Sequence, residues 1–202
     1  MENILEINLP EGIIEDFSPV QIPLKYDRQL VFSDVHVPYY SKEALSIVLL
    51  YGLKNSANCI IINGDFLDFY KASRFNPDPR ARGLKDEIIM AREILSKIRD
   101  LFPNAAIYFK EGNHDERWEH YLRDKAPELL DMEEFRLDVI LHLSKMNIQY
   151  VRDKKILQAG KLNYVHGHEF GKGFTAPVNP ARGFYTKGKQ TMVGGHHHQT
   201  LS

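Results

Sequence analysis

The 202-residue sequence has little of several features that mark specialised classes of protein. Its single cysteine, Cys59, cannot form an internal disulfide, which excludes a disulfide-stapled domain and favours a reducing compartment. The longest helical apolar run, 44–50, is far shorter than the roughly 20 residues that span a bilayer. The N-terminal residues mix acids with apolar residues and have no basic start, unlike a secretory signal. We therefore expect a cytoplasmic protein with no membrane partner.

An excess of charge of one sign is also missing. The 26 basic and 27 acidic residues leave a formal net charge of -1. Such a chain has no overall field that steers it to nucleic acid or anionic lipid, so any attraction for phosphate has to be local. Hydrophobic residues at 43% and charged residues at 26% are typical of an ordinary globular protein.

The patterning of apolar residues predicts alternating strands and helices. Ser41 is a suitable N-cap for a helix with an apolar face at Ala44, Leu45, Val48 and Leu49. Glycine in Ala159-Gly160-Lys161 predicts a tight antiparallel hairpin. Other short apolar runs predict strands at 30–32, 59–63, 105–109 and 191–193, and helical spacing predicts helices through 84–98, 118–122 and 135–143.

These elements favour an α/β layered fold whose first strands are parallel and whose later strands are antiparallel. We expect a single domain over residues 29–202. Residues 1–28 carry three prolines and one glycine, which interrupt any long element, so this segment is predicted to be an arm or an edge strand.

Polar clusters of metal-ligand type follow five of the predicted strands. Ligands bind at the carboxyl ends of strands in open α/β sheets. Each cluster alone also has an ordinary interpretation as a turn, a helix cap or a chance pairing. Seven of the nine histidines nevertheless lie in these clusters, which predicts one shared site. The clusters are Asp34-Val35-His36, Gly64-Asp65-Phe66-Leu67-Asp68, Gly112-Asn113-His114-Asp115, His166-Gly167-His168 and Gly194-Gly195-His196-His197-His198.

The five clusters, in this order, resemble the signature of the calcineurin-like metallophosphoesterase superfamily over about residues 30–198. The resemblance implies a four-layer α/β/β/α sandwich with mixed sheets. Members of the superfamily usually continue into further strands, so the end at Ser202 indicates a C-terminally truncated sheet. The implied metal ligands are Asp34, His36 and His198 for one ion, Asn113, His166 and His196 for the other, and Asp65 as a bridge.

The resemblance also implies catalytic residues. His114 is expected to act as general acid or transition-state stabiliser, with Asp115 orienting its ring, and Asp68 is expected to support ligands rather than bind a metal. Arg74 and His168 are predicted to contact substrate, because the arginine fork suits phosphate. The alternatives are a solvated or salt-bridged arginine and a histidine that packs against the metal ligands.

Mixed carboxylate, amide and imidazole ligands suit manganese, iron or zinc better than calcium. We expect two divalent ions, manganese first, with iron, zinc or nickel as alternatives. The expected reaction is hydrolysis of a phosphate ester, with a phosphodiester slightly preferred and nucleic acid as one such substrate. Phosphomonoesterase or protein-phosphatase-like activity is an alternative. A non-catalytic scaffold of the same fold is another, although such a protein is expected to lose ligands, and none is missing here.

Overall fold

The structure is a computed structural model that describes residues 10, 12, 16–73, 83–170 and 179–198. Within these residues the strands form two four-stranded sheets. The elements in chain order are β1 (Val20–Gln21), β2 (Gln29–Phe32), α1 (Lys42–Lys54), β3 (Cys59–Asn63), α2 (Leu84–Leu101), β4 (Ala106–Lys110), α3 (Arg117–Lys125), α4 (Leu137–Ile140), β5 (Ile148–Val151), β6 (Leu157–Ala159), β7 (Leu162–Tyr164), α5 (Pro180–Gly188) and β8 (Met192–Val193).

The first sheet is parallel throughout, in the order β2-β3-β4-β5. Helix α1 connects β2 to β3, and helix α2 connects β3 to β4. The side chain of Ser41 caps α1 by accepting a hydrogen bond from the backbone N–H of Ala44, as predicted. Because all four strands run in one direction, their carboxyl ends meet at one edge of the sheet.

The second sheet has the order β1-β6-β7-β8. Strands β6 and β7 form the predicted antiparallel hairpin, whereas β1 pairs with β6 and β8 pairs with β7 in parallel. The N-terminal segment thus contributes a two-residue strand at one edge of this sheet, and β8 closes the other edge of the described sheet.

The two faces of the first sheet pack against different partners. Ile60 and Ile62 of β3 belong to the core shared with α1 and α2, where Leu49 and Leu95 are buried. The alternate residues of β3, Cys59 and Ile61, lie in a second core with residues of the other sheet, because successive side chains of a strand point to opposite faces. A helix layer therefore covers one face and the second sheet covers the other. The mixed α/β class predicted from the sequence is confirmed.

The prediction that the later strands are antiparallel holds for β6 and β7 but is wrong for β8, which pairs with β7 in parallel. Two local expectations also differ from the structure. The apolar pattern over 135–143 forms only the four-residue helix α4, and His142 just after it has a left-handed φ of 58°. Strand β5, which the sequence patterning did not indicate, pairs with β4 and completes the first sheet. In the part of the chain that the structure describes, no helix combines the length and apolar character needed to cross a bilayer.

Candidate metal centre

The five polar clusters converge where the ends of the two sheets meet. Backbone hydrogen bonds hold neighbouring clusters in register. The N–H of Asp34 donates to the carbonyl of Gly64, and the N–H of His36 donates to the carbonyl of Asp65, both at 3.0 Å. In the second sheet the N–H of Gly195 donates to the carbonyl of His166, also at 3.0 Å. The ligand-bearing turns are therefore extensions of the strand pairing.

One group of ligating atoms comes from Asp34, His36 and His198. The Nε2 atoms of the two histidines are 3.3 Å apart, and Oδ1 of Asp34 lies 3.3 Å from Nε2 of His198 and 3.9 Å from Nε2 of His36. Backbone N–H of His196 donates to both carboxylate oxygens of Asp34 at 3.1 Å, which fixes the carboxylate beside the last cluster.

A second group is formed by Asp65, His166 and His196. Oδ2 of Asp65 lies 3.0 Å from Nε2 of His166, and Oδ1 of Asn113 lies 3.2 Å from the same nitrogen. The Nδ1 atom of His166 is 3.0 Å from the carbonyl oxygen of Asn63, so Nδ1–H can donate there and leave Nε2 free as a ligand. The predicted ligands of the second ion are thus gathered together.

Asp65 links the two groups. It also belongs to a third set, with His36 and His114, whose ligating atoms lie within 4.8 Å of one another. One carboxylate therefore stands beside His36 of the first group and His166 of the second. Such a position suits a carboxylate that bridges two cations.

The backbone at this site takes an uncommon conformation. Five of the predicted ligands have left-handed φ angles, a region that non-glycine residues rarely adopt although aspartate and histidine are enriched in it. The hydrogen bonds between clusters hold these residues in place. The angles are 57° at Asp34, 52° at His36, 52° at Asp65, 70° at His196 and 50° at His198.

Two glycines allow the clusters to approach. A Cβ atom at Gly112 would lie 2.2 Å from the backbone nitrogen of Asp65, and a Cβ at Gly64, where φ is +90°, would lie 2.4 Å from Nδ1 of His166. Any side chain at either position would displace a predicted ligand. This close approach explains the glycine that precedes the ligand in the second and third clusters.

His114 lies beside the two groups, with its ring held by Asp68. The Nδ1 atom of His114 is 3.0 Å from Oδ1 of Asp68 and 3.1 Å from the carbonyl oxygen of Asp68. A guanidinium nitrogen of Arg117 is 2.9 Å from Nε2 of His114, and Arg117 also donates to the carbonyl of Asp68 at 2.7 Å. Since arginine has no acceptor, Nε2 accepts and Nδ1 carries the proton in this arrangement.

Asp115 does not orient this ring, contrary to the sequence-based expectation. Its fully buried carboxylate accepts backbone N–H groups of Gly112 at 2.9 Å and Leu67 at 3.0 Å. It therefore ties the third cluster to the second. The reason is geometric, because the side chain of the residue after His114 turns away from the ring and into the protein. Burial and the neighbouring Asp65 carboxylate raise the pKa of Asp115 above its usual value.

Asp68 contacts a second ring as well. Its Oδ1 atom lies 3.2 Å from Nδ1 of His36, which leaves Nε2 of that ring directed at the first group. Although burial by itself raises the pKa of Asp68, its contacts with His114 and His36 lower it well below the ordinary range. A single carboxylate thus orients both a predicted ligand and the predicted acid.

In the second group, burial and the contacts between the Asp65 carboxylate and the histidine rings shift the pKa values of all three residues. Burial raises the pKa of Asp65, but the hydrogen bond and charge of His166 lower it to about 2. Burial lowers the pKa of His166, but Asp65 raises it above the ordinary value. Burial and neighbouring histidines lower the pKa of His196 to about 4. Ionised carboxylates thus face imidazole nitrogens at close range.

These residues fit divalent cations. Within each of the two main groups, the carboxylate oxygen and the imidazole nitrogens lie within 4.8 Å of one another. Asn113 adds an amide oxygen to the second group. The second ring nitrogen of His166 faces the carbonyl of Asn63, and that of His36 lies 3.2 Å from the carboxylate of Asp68. That pattern is typical of histidine ligands, and the oxygen and nitrogen mixture suits first-row divalent metals.

The two predicted substrate contacts have different outcomes. Arg74 lies outside the described residues. His168 is mostly buried, and its Nε2 atom is 2.9 Å from Oε1 of Glu116. The ring of His168 also lies 5.4 Å from that of His166, so it packs beside a ligand.

Three residues at the site were missed by sequence reasoning. Arg117 contacts His114, and a buried ion pair joins Lys110 to Glu169 at 2.7 Å. Two signals were available. Lys110 is a charged residue that closes an otherwise apolar strand, and Arg117 lies one helical turn after His114.

No protein-family profile matches the chain. Two phage proteins are similar to it. The Gene 54 protein of Mycobacterium phage L5 is 24% identical over 154 residues, which cover 71% of this chain and 58% of the phage protein. The Gene 54 protein of Mycobacterium phage D29 is 25% identical over 188 residues, which cover 86% of this chain and 70% of the phage protein. The chain therefore spans 58–70% of the length of these relatives.

Proposed function

We propose that this protein hydrolyses phosphoesters with two divalent cations, as a metallophosphoesterase of the calcineurin-like superfamily. The observation that carries the proposal is the position of Asp65, whose carboxylate stands between His36 of one ligand group and His166 of the other. Two groups that share a carboxylate are what a paired cation site requires. The sandwich of four layers that the superfamily implies is part of this proposal.

Asp34, His36 and His198 would hold one cation, and His166, His196 and Asn113 would hold the other, with Asp65 between them. When bound, the two cations would neutralise negative charge on the phosphate and lower the pKa of an attacking water. Manganese is the preferred ion, with iron, zinc and nickel as alternatives. The residues themselves supply only two negative charges to this set, those of Asp34 and Asp65, so the loaded site attracts an anion although the chain is weakly acidic.

His114 is proposed to give a proton to the leaving oxygen. Asp68 holds Nδ1–H of the ring, so Nε2 is the atom that would carry the donated proton, which requires Arg117 to turn from Nε2 to the phosphate. Arg117, whose guanidinium is 2.9 Å from Nε2, is proposed to contact the phosphate beside His114. This assignment adds Arg117 to Arg74 as a proposed substrate contact, whereas His168, which is mostly buried against Glu116, is assigned to packing beside the ligand His166.

The test combines metal analysis with hydrolysis assays on a p-nitrophenyl monoester and a bis(p-nitrophenyl) diester. Wild-type protein is expected to bind two manganese ions and to hydrolyse at least one ester, and a faster diester reaction would support the phosphodiesterase preference. His114→Ala is expected to keep both ions and to lose about 10²–10⁴-fold in rate. His142→Ala, a histidine away from the site, is the matched control and is expected to keep full activity.

Two outcomes would contradict the proposal. One is a wild-type protein that binds two ions but turns over neither ester, which would favour the non-catalytic scaffold. The other is a protein that binds no divalent cation. If DNA or RNA is the substrate, its cleavage is expected to weaken steeply as salt increases.

A further inference from the structure

Lys110 and Glu169 form a buried ion pair close to the ligand cluster that contains His166. Lys110 is fully buried at the end of β4, and its Nζ atom lies 2.7 Å from Oε1 of Glu169. The ammonium also donates to the carbonyl of Lys155 at 2.9 Å. Removing two charges from water is costly, and a buried ion pair offsets this cost only where its geometry is good and further hydrogen bonds satisfy both charges.

The carboxylate of Glu169 also accepts two hydrogen bonds from the backbone of the turn that carries the predicted ligand His166. Its Oε1 atom accepts the backbone N–H of His166 at 2.7 Å, and its Oε2 atom accepts that of Gly167 at 2.6 Å. The positive charge of Lys110 compensates the negative charge of the carboxylate, whose two oxygens each accept one of these backbone donors.

The pair connects two elements that supply ligands to the same cation. Lys110 is the last residue of β4, and Asn113 follows it three positions later. Glu169 holds the backbone of His166, whose Nε2 atom lies 3.2 Å from Oδ1 of Asn113. No contact described for either charged residue reaches Asp34, His36 or His198. Among the described contacts, the pair therefore touches only the second ligand group directly.

We propose that the Lys110–Glu169 ion pair is a positioning device that sets the affinity of the Asp65–His166–His196 group for its cation, without acting on the Asp34–His36–His198 group. The inference rests on the proposed paired metal site. Neither charged residue is a metal ligand in this assignment, and each acts through the backbone and ring of His166. The expected consequence is a loss of affinity confined to one of two cations.

The test measures manganese binding to metal-free protein by isothermal titration calorimetry. Glu169→Gln keeps the size of the side chain but removes the ion pair and one negative charge. It is expected to bind one ion as wild type does and the other about 10–100-fold more weakly, the range for residues that orient a ligand. Lys110→Met/Glu169→Gln leaves the local net charge unchanged, so the same selective loss in the double variant assigns the effect to geometry.

The two sites are told apart in a His198→Ala background, in which the first group is impaired. Adding Glu169→Gln there is expected to weaken the remaining strong site by the same factor. Arg99→Met is the matched control for destabilisation, because Arg99 donates to backbone carbonyls that include those of Phe102 and Met146 and does not contact the site. It is expected to leave both affinities unchanged.

The result that would overturn the inference is a folded Glu169→Gln protein, checked by circular dichroism, with both affinities unchanged or both lowered equally. An equal loss in Arg99→Met would also overturn it, since the effect would then follow from global stability. Absence of manganese binding by the wild-type protein is a different outcome, because it refutes the proposed metal centre itself.

Discussion

The Nε2 atoms of His36 and His198 face each other at 3.3 Å, although 162 positions of sequence separate the two residues. Each ring nitrogen presents either a lone pair or a hydrogen, so the two can share one proton but repel each other when both carry a lone pair. A cation between them removes this repulsion. A shared proton accounts for the 3.3 Å distance, and the same arrangement would let both rings and Asp34 bind one cation.

His198→Ala separates cation binding from folding. The side chain of His198 is 60% exposed, so its removal is expected to change the free energy of unfolding of the metal-free protein by no more than about 0.5 kcal/mol. The same change removes one of three predicted ligands of the first group. Calorimetry is expected to show one tightly bound manganese ion in place of two, and urea unfolding checks the stability. Two ions bound with wild-type affinity would contradict the ligand role.

Asp68→Asn tests the shared orientation of His36 and His114. Asparagine keeps the size but loses the charge that faces Nδ1 of His36 at 3.2 Å and Nδ1 of His114 at 3.0 Å. Manganese affinity at one site is expected to fall about 10–100-fold, together with the rate of ester hydrolysis. Asp138→Asn, which removes a carboxylate paired with Arg136 elsewhere in the protein, is the control and is expected to change neither. Equal behaviour of the two variants would contradict the assigned role.

Glu87→Gln is expected to change how stability depends on pH. Glu87 is buried and accepts the backbone N–H of Phe69, and burial raises its pKa from 4.5 to about 7. The folded protein therefore binds a proton between these values that the unfolded chain has lost. Stability is lost as pH rises through this window, by at most about 3 kcal/mol from this group.

The glutamine variant cannot titrate at this position. Its free energy of unfolding, relative to that of wild type, is expected to increase from pH 4.5 to pH 8. Urea unfolding in the presence of a chelator measures the difference between the two proteins at each pH, so that other titrating groups cancel. Parallel pH profiles would show that the side chain of Glu87 does not retain its proton on folding.

The strand and helix assignments that position the ligands followed from short-range patterns. Residues 59–63 are apolar except for the last one, and buried parallel strands have this composition. Strand β5 was harder to predict because it is only partly buried. Of its four residues, Ile148 and Val151 are the buried ones. The helix predicted over 135–143 is short because the chain turns at the left-handed His142 so that β5 can join the sheet.

The ring contact of His114 could not be inferred from neighbouring positions. Asp115 is adjacent in sequence, but Asp68 reaches the ring from another strand end, 46 positions away. Such a contact depends on how two strands pair and where their turns point. The same holds for the Lys110–Glu169 pair, which spans the two sheets, and for the left-handed backbone of Asp34 and Asp65, which the enrichment of aspartate in that region does not by itself specify.

The placement of ligands at both ends of a long stretch of chain also has a consequence for biosynthesis. His196 and His198 leave the ribosome more than 160 residues after Asp34. A nascent polypeptide that has not yet reached these histidines lacks the partners that hold Asp34 and complete both ligand groups. Metallation is therefore expected only after the segment that carries these histidines has been translated.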